Sequence, residues 1–311
     1  MSKLRIGSRG SKLALWQADH IARRLHSLGH DCEIKIIRTT GDEITTVALS
    51  KVGTKGMFTK ELEEALAAAE IDLAVHSMKD MPTELPPGFS IAATTERDDP
   101  RDAFLSVRYD SLASLPSSAH VGTSSLRRQS QLLSRRPDLR MSPLRGNVDT
   151  RIRKLESGEF DAILLAAAGV KRLALEALVR ERISPTSMVP AVGQGALAIE
   201  IADNRPGLHD IVRQLNDNIS ELCIIAERAF LRALGGGCQV PIAAYATIAH
   251  DKIHLDGLVA RPDGAQIVRD RLTGDDAETV GTALAQRLID SGAASILDDV
   301  YRSNAPVPTQ P

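Results

Sequence analysis

The fold of this chain is organised around Leu234-Gly235-Gly236-Gly237-Cys238-Gln239-Val240-Pro241. In the preceding residues, 218–234, apolar side chains recur at three- and four-residue steps and predict a helix with one buried face. A glycine just past such a helix is its usual end, because glycine adopts a left-handed backbone without steric cost. Three glycines exceed what that end requires, so they leave Cys238 on a bare loop that can accommodate a bulky group. Pro241 then favours an extended backbone at Val240, before the next strand.

Cys238 admits two interpretations. An isolated cysteine is most often a small apolar residue packed under a turn. A thiol just past the C-terminus of a helix also faces the negative end of the helix dipole, which disfavours the thiolate. Because no histidine adjoins Cys238 in the sequence, the residue fits an attachment point better than a nucleophile that turns over.

The composition is that of a globular protein with free thiols. A chain of 311 residues, with 43% apolar and 25% charged residues, predicts two or three domains of ordinary character. The net charge of -2 gives no general attraction to nucleic acid or to membranes. The three cysteines form neither a CxxC pair nor a metal-binding spacing, which indicates a reducing compartment and no metal site. The chain start lacks the apolar core of a signal peptide, and the longest apolar run, residues 162–170, is too short to span a bilayer. We therefore expect a soluble, cytoplasmic protein.

The first two thirds of the chain predict two α/β domains. Strands and helices alternate at residues 4–9, 11–28, 33–38, 58–69 and 71–75, and again at residues 119–123, 125–136, 139–144, 148–155 and 160–166. Such alternation indicates βαβ units in a largely parallel sheet. Polar or glycine-rich breaks at residues 94–100 and 190–195 bracket the second segment, so we expect the chain to leave one domain, build another and return.

The last part of the chain has a different pattern. Successive strands at residues 241–248, 253–259 and 266–272 are separated by the turn residues Asp251 and Pro262-Asp263-Gly264, which predicts hairpins. A helix at residues 276–289 completes an α+β domain, and the proline-rich tail from about residue 303 is expected to be disordered. The predicted domains are residues 1–95 with 196–217, residues 96–195, and residues 218–311.

Positive charge is concentrated between Arg127 and Lys154. Nine cations stand against two anions there, in a chain that is otherwise nearly neutral. Solvated helix faces explain Arg135 and Arg136. They explain Arg127 less well, because it falls with Arg128 in the first turn of a predicted helix, where the dipole disfavours cations.

These cations predict an anion site. Ser124 and Ser125 lie at the N-terminus of the same predicted helix, so backbone N–H groups and guanidinium groups point in one direction. In open parallel sheets, ligands bind beyond the carboxyl ends of the strands. The residues that this interpretation places there are Arg9, Ser11, Lys79, Asp80, Ser125, Arg127 and Arg128.

Two kinds of function fit the basic segment. A nucleic-acid-binding module would use such a cluster, but this one contains no aromatic residue for base stacking. The alternative is a cleft for a small polycarboxylate or phosphate ligand, in an enzyme or in a binding protein. Asp80, an acid at a strand end among cations, favours the enzyme, because an ionised carboxylate there stabilises a developing positive charge or accepts an N–H.

Six stretches of the sequence carry a resemblance to a known family. They are Leu13-Ala14-Leu15-Trp16-Gln17, His76-Ser77-Met78-Lys79-Asp80, Gly122-Thr123-Ser124-Ser125-Leu126-Arg127-Arg128, Leu144-Arg145-Gly146-Asn147-Val148, Ala191-Val192-Gly193-Gln194-Gly195 and Gly235-Gly236-Gly237-Cys238-Gln239-Val240-Pro241. Together, and in this order over roughly residues 4–301, they resemble the porphobilinogen deaminases, also called hydroxymethylbilane synthases.

The resemblance implies a fold and a reaction. Two domains similar to type II periplasmic binding proteins would enclose a cleft, and a smaller C-terminal α+β domain with an antiparallel sheet would carry Cys238. A dipyrromethane cofactor would be bound to Cys238 through a thioether. The enzyme, a monomeric transferase, would join four porphobilinogen molecules head to tail with loss of ammonia, and water would release hydroxymethylbilane. Neither nucleic acid nor a membrane would be a partner.

The resemblance also implies residue roles. Asp80 would be the catalytic carboxylate. The residues that would bind the carboxylates of cofactor and substrate are Arg9, Ser11, Lys55, Lys79, Ser125, Arg127, Arg128, Arg145, Arg151, Arg172 and Gln194. Some positions depart from the family pattern without touching a catalytic residue: Lys12 stands where the N-terminal motif has proline, and Thr46, Pro143 and Gly235 also differ.

Overall fold

The computed structural model describes residues 3–39, 59–205, 207–236 and 240–304. The predictions about Thr46, Lys55, Cys238 and the tail beyond residue 304 lie outside the described residues. The strands are β1 (Leu4–Ser8), β2 (Cys32–Ile36), β3 (Leu73–Ser77), β4 (Phe89–Thr94), β5 (Asp102–Leu105), β6 (His120–Gly122), β7 (Arg140–Ser142), β8 (Ala162–Ala166), β9 (Val179–Ile183), β10 (Leu197–Ala202), β11 (Ile242–Ala249), β12 (Lys252–Ala260) and β13 (Ile267–Gly274). The α-helices are α1 (Lys12–Ser27), α2 (Lys60–Ala67), α3 (Leu126–Leu133), α4 (Val148–Glu156), α5 (Ala167–Arg172), α6 (Leu208–Arg213), α7 (Asn218–Ala233), α8 (Ala277–Leu288) and α9 (Ala294–Asn304). Shorter helical turns are Met78–Asp80, Glu176–Leu178 and Ile289–Ala293.

The first α/β unit is built around a sheet with the order β2-β1-β3-β10-β4. β1 pairs in parallel with β2 and β3, whereas β10 runs antiparallel to β3 and β4. Ile21 and Leu25 of α1 pack in one core with Leu73, and Leu62 of α2 packs in another with Ala74. Because neighbouring strand residues face opposite sides of a sheet, helices cover both faces of this one.

The second α/β unit repeats this topology. Its sheet has the order β7-β6-β8-β5-β9, and β5 is again antiparallel to both of its neighbours. β5 follows the first crossing between the units, residues 95–101, and β10 follows the second crossing, residues 184–196. The predicted pair of α/β domains is therefore confirmed, with one antiparallel strand in each sheet that enters from the other unit.

The third unit is the predicted smaller α+β domain with an antiparallel sheet. Its order is β11-β12-β13, and α7 and α8 pack against the sheet through Phe230 and Leu284. The two residues between β11 and β12, His250 and Asp251, both have positive φ, as the tightest hairpin turns require. At Gly281, a Cβ would lie 2.3 Å from the carbonyl oxygen of Ala226, so glycine lets the two helices touch.

All three units meet at one buried carboxylate, Glu227 of α7. Its oxygens accept hydrogen bonds from the Arg97 guanidinium on the first crossing, from Gly193 N (2.7 Å) on the second, and from Ala246 N (2.8 Å) on β11. Arg97 also donates through Nε to the carbonyl oxygen of Gln194, at 2.9 Å. We call this group the Glu227 clasp. It fixes the crossings to the third unit. The limits of the three domains stay a prediction.

Candidate functional site

A cleft lies between the two α/β units, at the carboxyl ends of β3 and β8. Two pockets open into it. The interdomain pocket is lined by both units and includes Gln17, Lys79, Arg128, Arg151, Arg172 and Gln194. The Asp80 pocket is lined by the first unit and includes Arg9, Ser11, Gln17, His76 and Asp80. Most of the predicted binding residues among those described are thus brought together, as expected for a ligand site at strand ends.

Two predicted binding residues are helix caps. The Oγ of Ser11 accepts a hydrogen bond from Ala14 N at 3.2 Å, and the Oγ of Ser125 accepts one from Arg128 N at 3.4 Å. These bonds fix the starts of α1 and α3. Ser11 lines the Asp80 pocket, whereas Ser125 is half-buried and lines neither pocket. The positive end of the α1 dipole is therefore directed toward the site.

Asp80 ends a short helical turn that follows β3, and its side chain is exposed. The turn is anchored by Met78, whose side chain is buried against the second crossing at Gly193. Gly193 has a φ of +69°, and a Cβ there would lie 2.4 Å from Met78 Cγ. Only glycine fits this approach. The crossing and the turn that carries Asp80 are consequently in direct contact.

Lys79, next to Asp80, lines the interdomain pocket instead. Its side chain is only partly exposed and lies deep between the units. Burial lowers the pKa of Lys79 to about 8; Asp80 opposes this shift, and the nearby Arg128 adds to it. An ammonium group in such a place gains from a ligand carboxylate, which replaces the water that burial has removed.

Arg127 and Arg128 are adjacent on α3 but have different surroundings. The Arg127 guanidinium contacts both oxygens of Asp102, at 2.7 and 3.1 Å, and also donates to the carbonyl oxygen of Val189. Arg128 donates to Asp102 through Nε at 2.9 Å and to the Leu164 carbonyl, yet also lines the interdomain pocket. Asp102 occupies the Arg127 guanidinium behind the pocket wall, and Arg127 lines neither pocket, so the predicted binding role of Arg127 stays a prediction.

Asp102, at the start of β5, was not among the predicted site residues. It is fully buried, and the two arginines and Gln194 hold the pKa of its carboxyl well below the usual range, against the effect of burial. Burial lowers the pKa of Arg128, which Asp102 opposes. The signal that could have revealed Asp102 is an acid that opens the apolar strand Asp102-Ala103-Phe104-Leu105, because a buried acid needs cationic partners.

Two further arginines close the interdomain pocket. Arg151 of α4 donates through Nε to the Gly146 carbonyl at 2.7 Å, and burial lowers its pKa to about 10. Arg172 at the end of α5 donates to the carbonyl oxygen of Gly195 at 2.6 Å, and burial lowers its pKa as well. Its guanidinium carbon lies 5.7 Å from the centre of the Trp16 ring on α1. Arg172 therefore spans from the second unit to the first.

Gln194 and Arg145 complete the predicted set. The Gln194 amide nitrogen donates to the carbonyl of Pro100 at 2.7 Å and to Asp102 at 3.0 Å, so it joins the two crossings behind the pocket. Its own amide oxygen is buried, without a hydrogen-bond partner among the described residues. Arg145 is half-buried just after β7 and lines neither pocket.

The fold and these side chains define a class: a two-lobed protein with a cation-lined cleft that suits a polycarboxylate, beside one exposed carboxylate. Arginine, lysine and serine donors fit an organic anion with several carboxylates. Among the described residues, no group of three or more His, Cys, Asp or Glu could hold a metal ion. In the same part of the chain, no helix is both long and apolar enough to cross a membrane.

Comparisons with known proteins specify this class. Residues 4–210 match the family model "Porphobilinogen deaminase, dipyromethane cofactor binding domain", and residues 221–290 match "Porphobilinogen deaminase, C-terminal domain". The porphobilinogen deaminase of Thiobacillus denitrificans is 53% identical over 302 residues, which cover 96% of this chain and 99% of that protein. The porphobilinogen deaminase of Nitratidesulfovibrio vulgaris is 52% identical over 98% of this chain and 99% of its own length. The chain belongs to the porphobilinogen deaminase family.

Two solved binding proteins are similar at much lower sequence identity. A putative methionine-binding lipoprotein of Bacillus subtilis has 13% identity and a TM-score of 0.43, over 68% of this chain and 89% of its own. A periplasmic substrate-binding protein of a Coxiella burnetii ABC transporter has 14% identity and a TM-score of 0.44, over 72% and 96%.

Proposed function

We propose that this protein joins four porphobilinogen molecules head to tail, with loss of ammonia, and releases linear hydroxymethylbilane by hydrolysis. It is then a transferase of tetrapyrrole synthesis. The observation that carries the proposal is the convergence of Lys79, Arg128, Arg151 and Arg172 on one cleft beside Asp80. Each pyrrole ring of the substrate and product carries an acetate and a propionate, so a growing chain gathers two negative charges per step.

The cations of the cleft bind those carboxylates. Arg128, Arg151 and Arg172 present guanidinium groups whose paired donors match a carboxylate in a bidentate manner. Lys79 adds a compact charge to the same pocket. Arg9 and Ser11 hold substrate carboxylates in the Asp80 pocket, and Ser125, Arg145 and Gln194 support the wall. Arg127 contributes from behind, as the partner of Asp102. Lys55 belongs to this set by family resemblance.

Asp80 is the catalytic carboxylate in this proposal. Its exposed side chain shares a pocket with Arg9 and Ser11, whose donors hold the substrate carboxylates. Asp80 then accepts the pyrrole N–H of the substrate and opposes the positive charge that develops as ammonia departs. Such preorganised stabilisation of charge in the transition state is typically the largest single contribution to catalysis.

The dipyrromethane cofactor is attached to Cys238 through a thioether. When bound, it supplies the ring carbon to which the first porphobilinogen adds. The residues that would hold its carboxylates are Lys79, Arg128 and Arg151, on the wall of the interdomain pocket. Buried or half-buried cations with lowered pKa values, as at Lys79 and Arg151, fit this anionic group.

We further propose domain limits, location and assembly. The domains are residues 1–95 with 196–217, residues 96–195 and residues 218–311. Each of the two α/β sheets contains one strand that follows a crossing from the other unit, and this topology supports the division. An odd number of cysteines without pairing motifs supports the cytoplasm as the location. A substrate cleft built from one chain supports a monomer.

The mass of the intact protein tests the cofactor. Purified protein should be heavier than its sequence by two linked pyrrole units, and Cys238→Ser should lose this addition. Cys32→Ser and Cys223→Ser, at the other two thiols, should keep it. An active wild-type protein with the plain sequence mass would contradict the thioether.

Ammonia release from porphobilinogen tests the reaction. Asp80→Asn removes the charge but keeps the shape, so turnover should fall on the order of a hundred- to a thousandfold. Asp80→Glu keeps the charge and should retain more activity. A pure binding protein would release no ammonia. Turnover of Asp80→Asn within a few-fold of wild type, with the cofactor present by mass, would rule out Asp80 as the catalytic carboxylate.

A further inference from the structure

His76 is in the wall of the Asp80 pocket, yet the binding of carboxylates does not explain it. It lies on β3, four residues before Asp80, and its side chain is buried. Its ring nitrogen Nε2 lies 2.9 Å from Oε2 of Glu200. The strand register places Ala198 of β10 opposite His76, so Glu200 is the diagonal neighbour two residues along that strand. A carboxylate on one ring nitrogen is the arrangement that orients a histidine as a general base.

The pair of His76 and Glu200 lies in a buried environment. Glu200 is fully buried, and its Oε1 has no hydrogen-bond partner among the described residues. Glu63 of α2 is also buried nearby. Burial raises the pKa of Glu63, and the nearby Glu200 acts in the same direction, while His76 opposes the shift. Glu200 is the carboxylate in hydrogen-bond contact with the imidazole, while Asp80 and Arg9 line the pocket side.

Each addition of porphobilinogen has to move a proton. The aminomethyl group reacts in its protonated, ammonium form: its C–N bond breaks, and ammonia leaves with the bonding pair. A new C–C bond then forms between that methylene and the free ring carbon of the bound chain. The C–H bond at this ring carbon must break, so that its electron pair restores the aromatic ring. The reaction therefore yields one proton and one ammonia per step, and a base near the methylene is required.

We propose that His76 accepts this proton and that Glu200 positions its ring. The inference rests on the proposed function. Histidine is the type of side chain best suited to take up and return a proton in every cycle, and His76 is the histidine that lines the Asp80 pocket. The ring nitrogen that does not contact Glu200 receives the proton and passes it to the departed ammonia. Ammonium leaves, and the neutral imidazole is restored.

Porphobilinogen deuterated at its free ring carbon tests the assignment. His76→Gln keeps a hydrogen-bond donor toward Glu200 but cannot accept the proton, so kcat should fall on the order of a hundredfold. Because C–H cleavage then limits the rate, a primary isotope effect should appear in the steps after the first, which the wild type lacks. Glu200→Gln, which leaves the imidazole without its carboxylate, should show the same isotope effect with a smaller loss.

His120→Gln is the matched control. The His120 ring packs against Phe160 in the second unit, with ring centres 4.7 Å apart and planes tilted by 39°, and it lies outside both pockets. Its substitution should leave kcat and the isotope effect unchanged. A slow His76→Gln enzyme without an isotope effect would give His76 a merely structural role. A wild-type protein that releases no ammonia would instead contradict the proposed function.

A second measurement requires neither turnover nor cofactor. Diethyl pyrocarbonate modifies accessible, unprotonated histidine nitrogens, and peptide masses identify the modified residue. In Cys238→Ser protein, His76 should be modified slowly, and porphobilinogen should protect it. The assignment is overturned if His76 is unreactive in folded protein, or if it reacts equally with and without substrate. This result stands even if His76→Gln fails to fold.

Discussion

Lys79 and Asp80 are neighbours in the sequence, yet the cleft gives them different surroundings. Asp80 is exposed to its pocket, while Lys79 extends between the units and has its pKa lowered to about 8. Two adjacent residues thus have different proposed roles: Asp80 takes part in the chemistry, and Lys79 binds the substrate carboxylates. The short helical turn after β3 makes this possible, because it directs successive side chains to different pockets.

The lowered pKa of Lys79 predicts a pH dependence. As pH rises above about 8, the ammonium of the free protein is lost, so the affinity for substrate carboxylates should fall. A charged hydrogen bond contributes about 1.5–3 kcal/mol, so the KM for porphobilinogen should rise on the order of tenfold at high pH. Lys79→Arg keeps its charge and should flatten the profile. An equal rise of KM in both proteins would contradict this role.

The lowered pKa of Lys79 also makes the free energy of unfolding depend on pH. The unfolded chain holds the lysine proton up to a pKa of about 10.4, whereas the folded protein loses it near 8. Between these values the unfolded state binds more protons, so this group's contribution to the free energy of unfolding rises with pH. Below about pH 8 both states are protonated, and the contribution is constant.

At the scale of elements, α3 is held to β5 by charges. Asp102 at the start of β5 contacts Arg127 and Arg128, while Gln194 reaches the same carboxylate from the second crossing. A helix that begins with two buried arginines is stable here because one buried acid compensates them. The arrangement also explains why Arg128 lines the pocket and Arg127 does not, because Asp102 holds the Arg127 guanidinium behind the pocket wall.

Asp102→Asn should therefore destabilise the protein strongly. Removing one partner of a buried ion pair costs about 3–5 kcal/mol, because it leaves uncompensated charge. Asp138→Asn is the control: Asp138 pairs with Arg136 at the surface, and its side chain is 34% exposed. Such pairs contribute about 0–1 kcal/mol. Urea unfolding gives the loss in the free energy of unfolding for each variant. Equal losses in the two variants would contradict the claim that burial makes the Asp102 ion pairs important.

The sequence predicted most of the elements and much of the site. Periodicity located α7 and the hairpin strands of the third unit, and strand ends located Arg9, Ser11 and Asp80. Periodicity could not reveal that β5 and β10 run antiparallel, because strand direction depends on where the chain enters a sheet. Nor could it reveal Asp102, since the partners of a buried acid come from distant positions. Family resemblance, and not local pattern, identified Arg172 and Gln194.

At the scale of the whole molecule, the two α/β units also touch across the cleft. Lys12 at the start of α1 pairs with Asp149 of α4, with an Nζ–Oδ2 distance of 2.6 Å. Arg172 reaches Trp16 beside this pair. Lys12 departs from the proline of the family motif, so this ion pair is a property of the present chain. It links the two walls of the cleft.

Lys12→Pro should loosen this link. Proline is favoured at the first position of a helix, so α1 should persist. The lost pair is exposed and contributes about 0–1 kcal/mol, so the open fraction should rise by at most about fivefold, without a large change in stability. Distances between non-cysteine labels at Leu28 and Val107 would measure opening. Lys12→Ala and high salt should act alike; unchanged distances in all three cases would contradict the prediction.

The Glu227 clasp has a mechanical consequence. Helix α7 holds both crossings at Glu227 and ends at Ala233, five residues before Cys238. Five residues span at most about 18 Å, which limits the distance between Cys238 and the end of α7. When a domain rotates about a hinge, residues far from the hinge move furthest and residues at the hinge move least. With the primer attached at Cys238 as proposed, its anchored end is close in sequence to the clasp, so rotation of the lobes would displace that end less than the walls of the cleft.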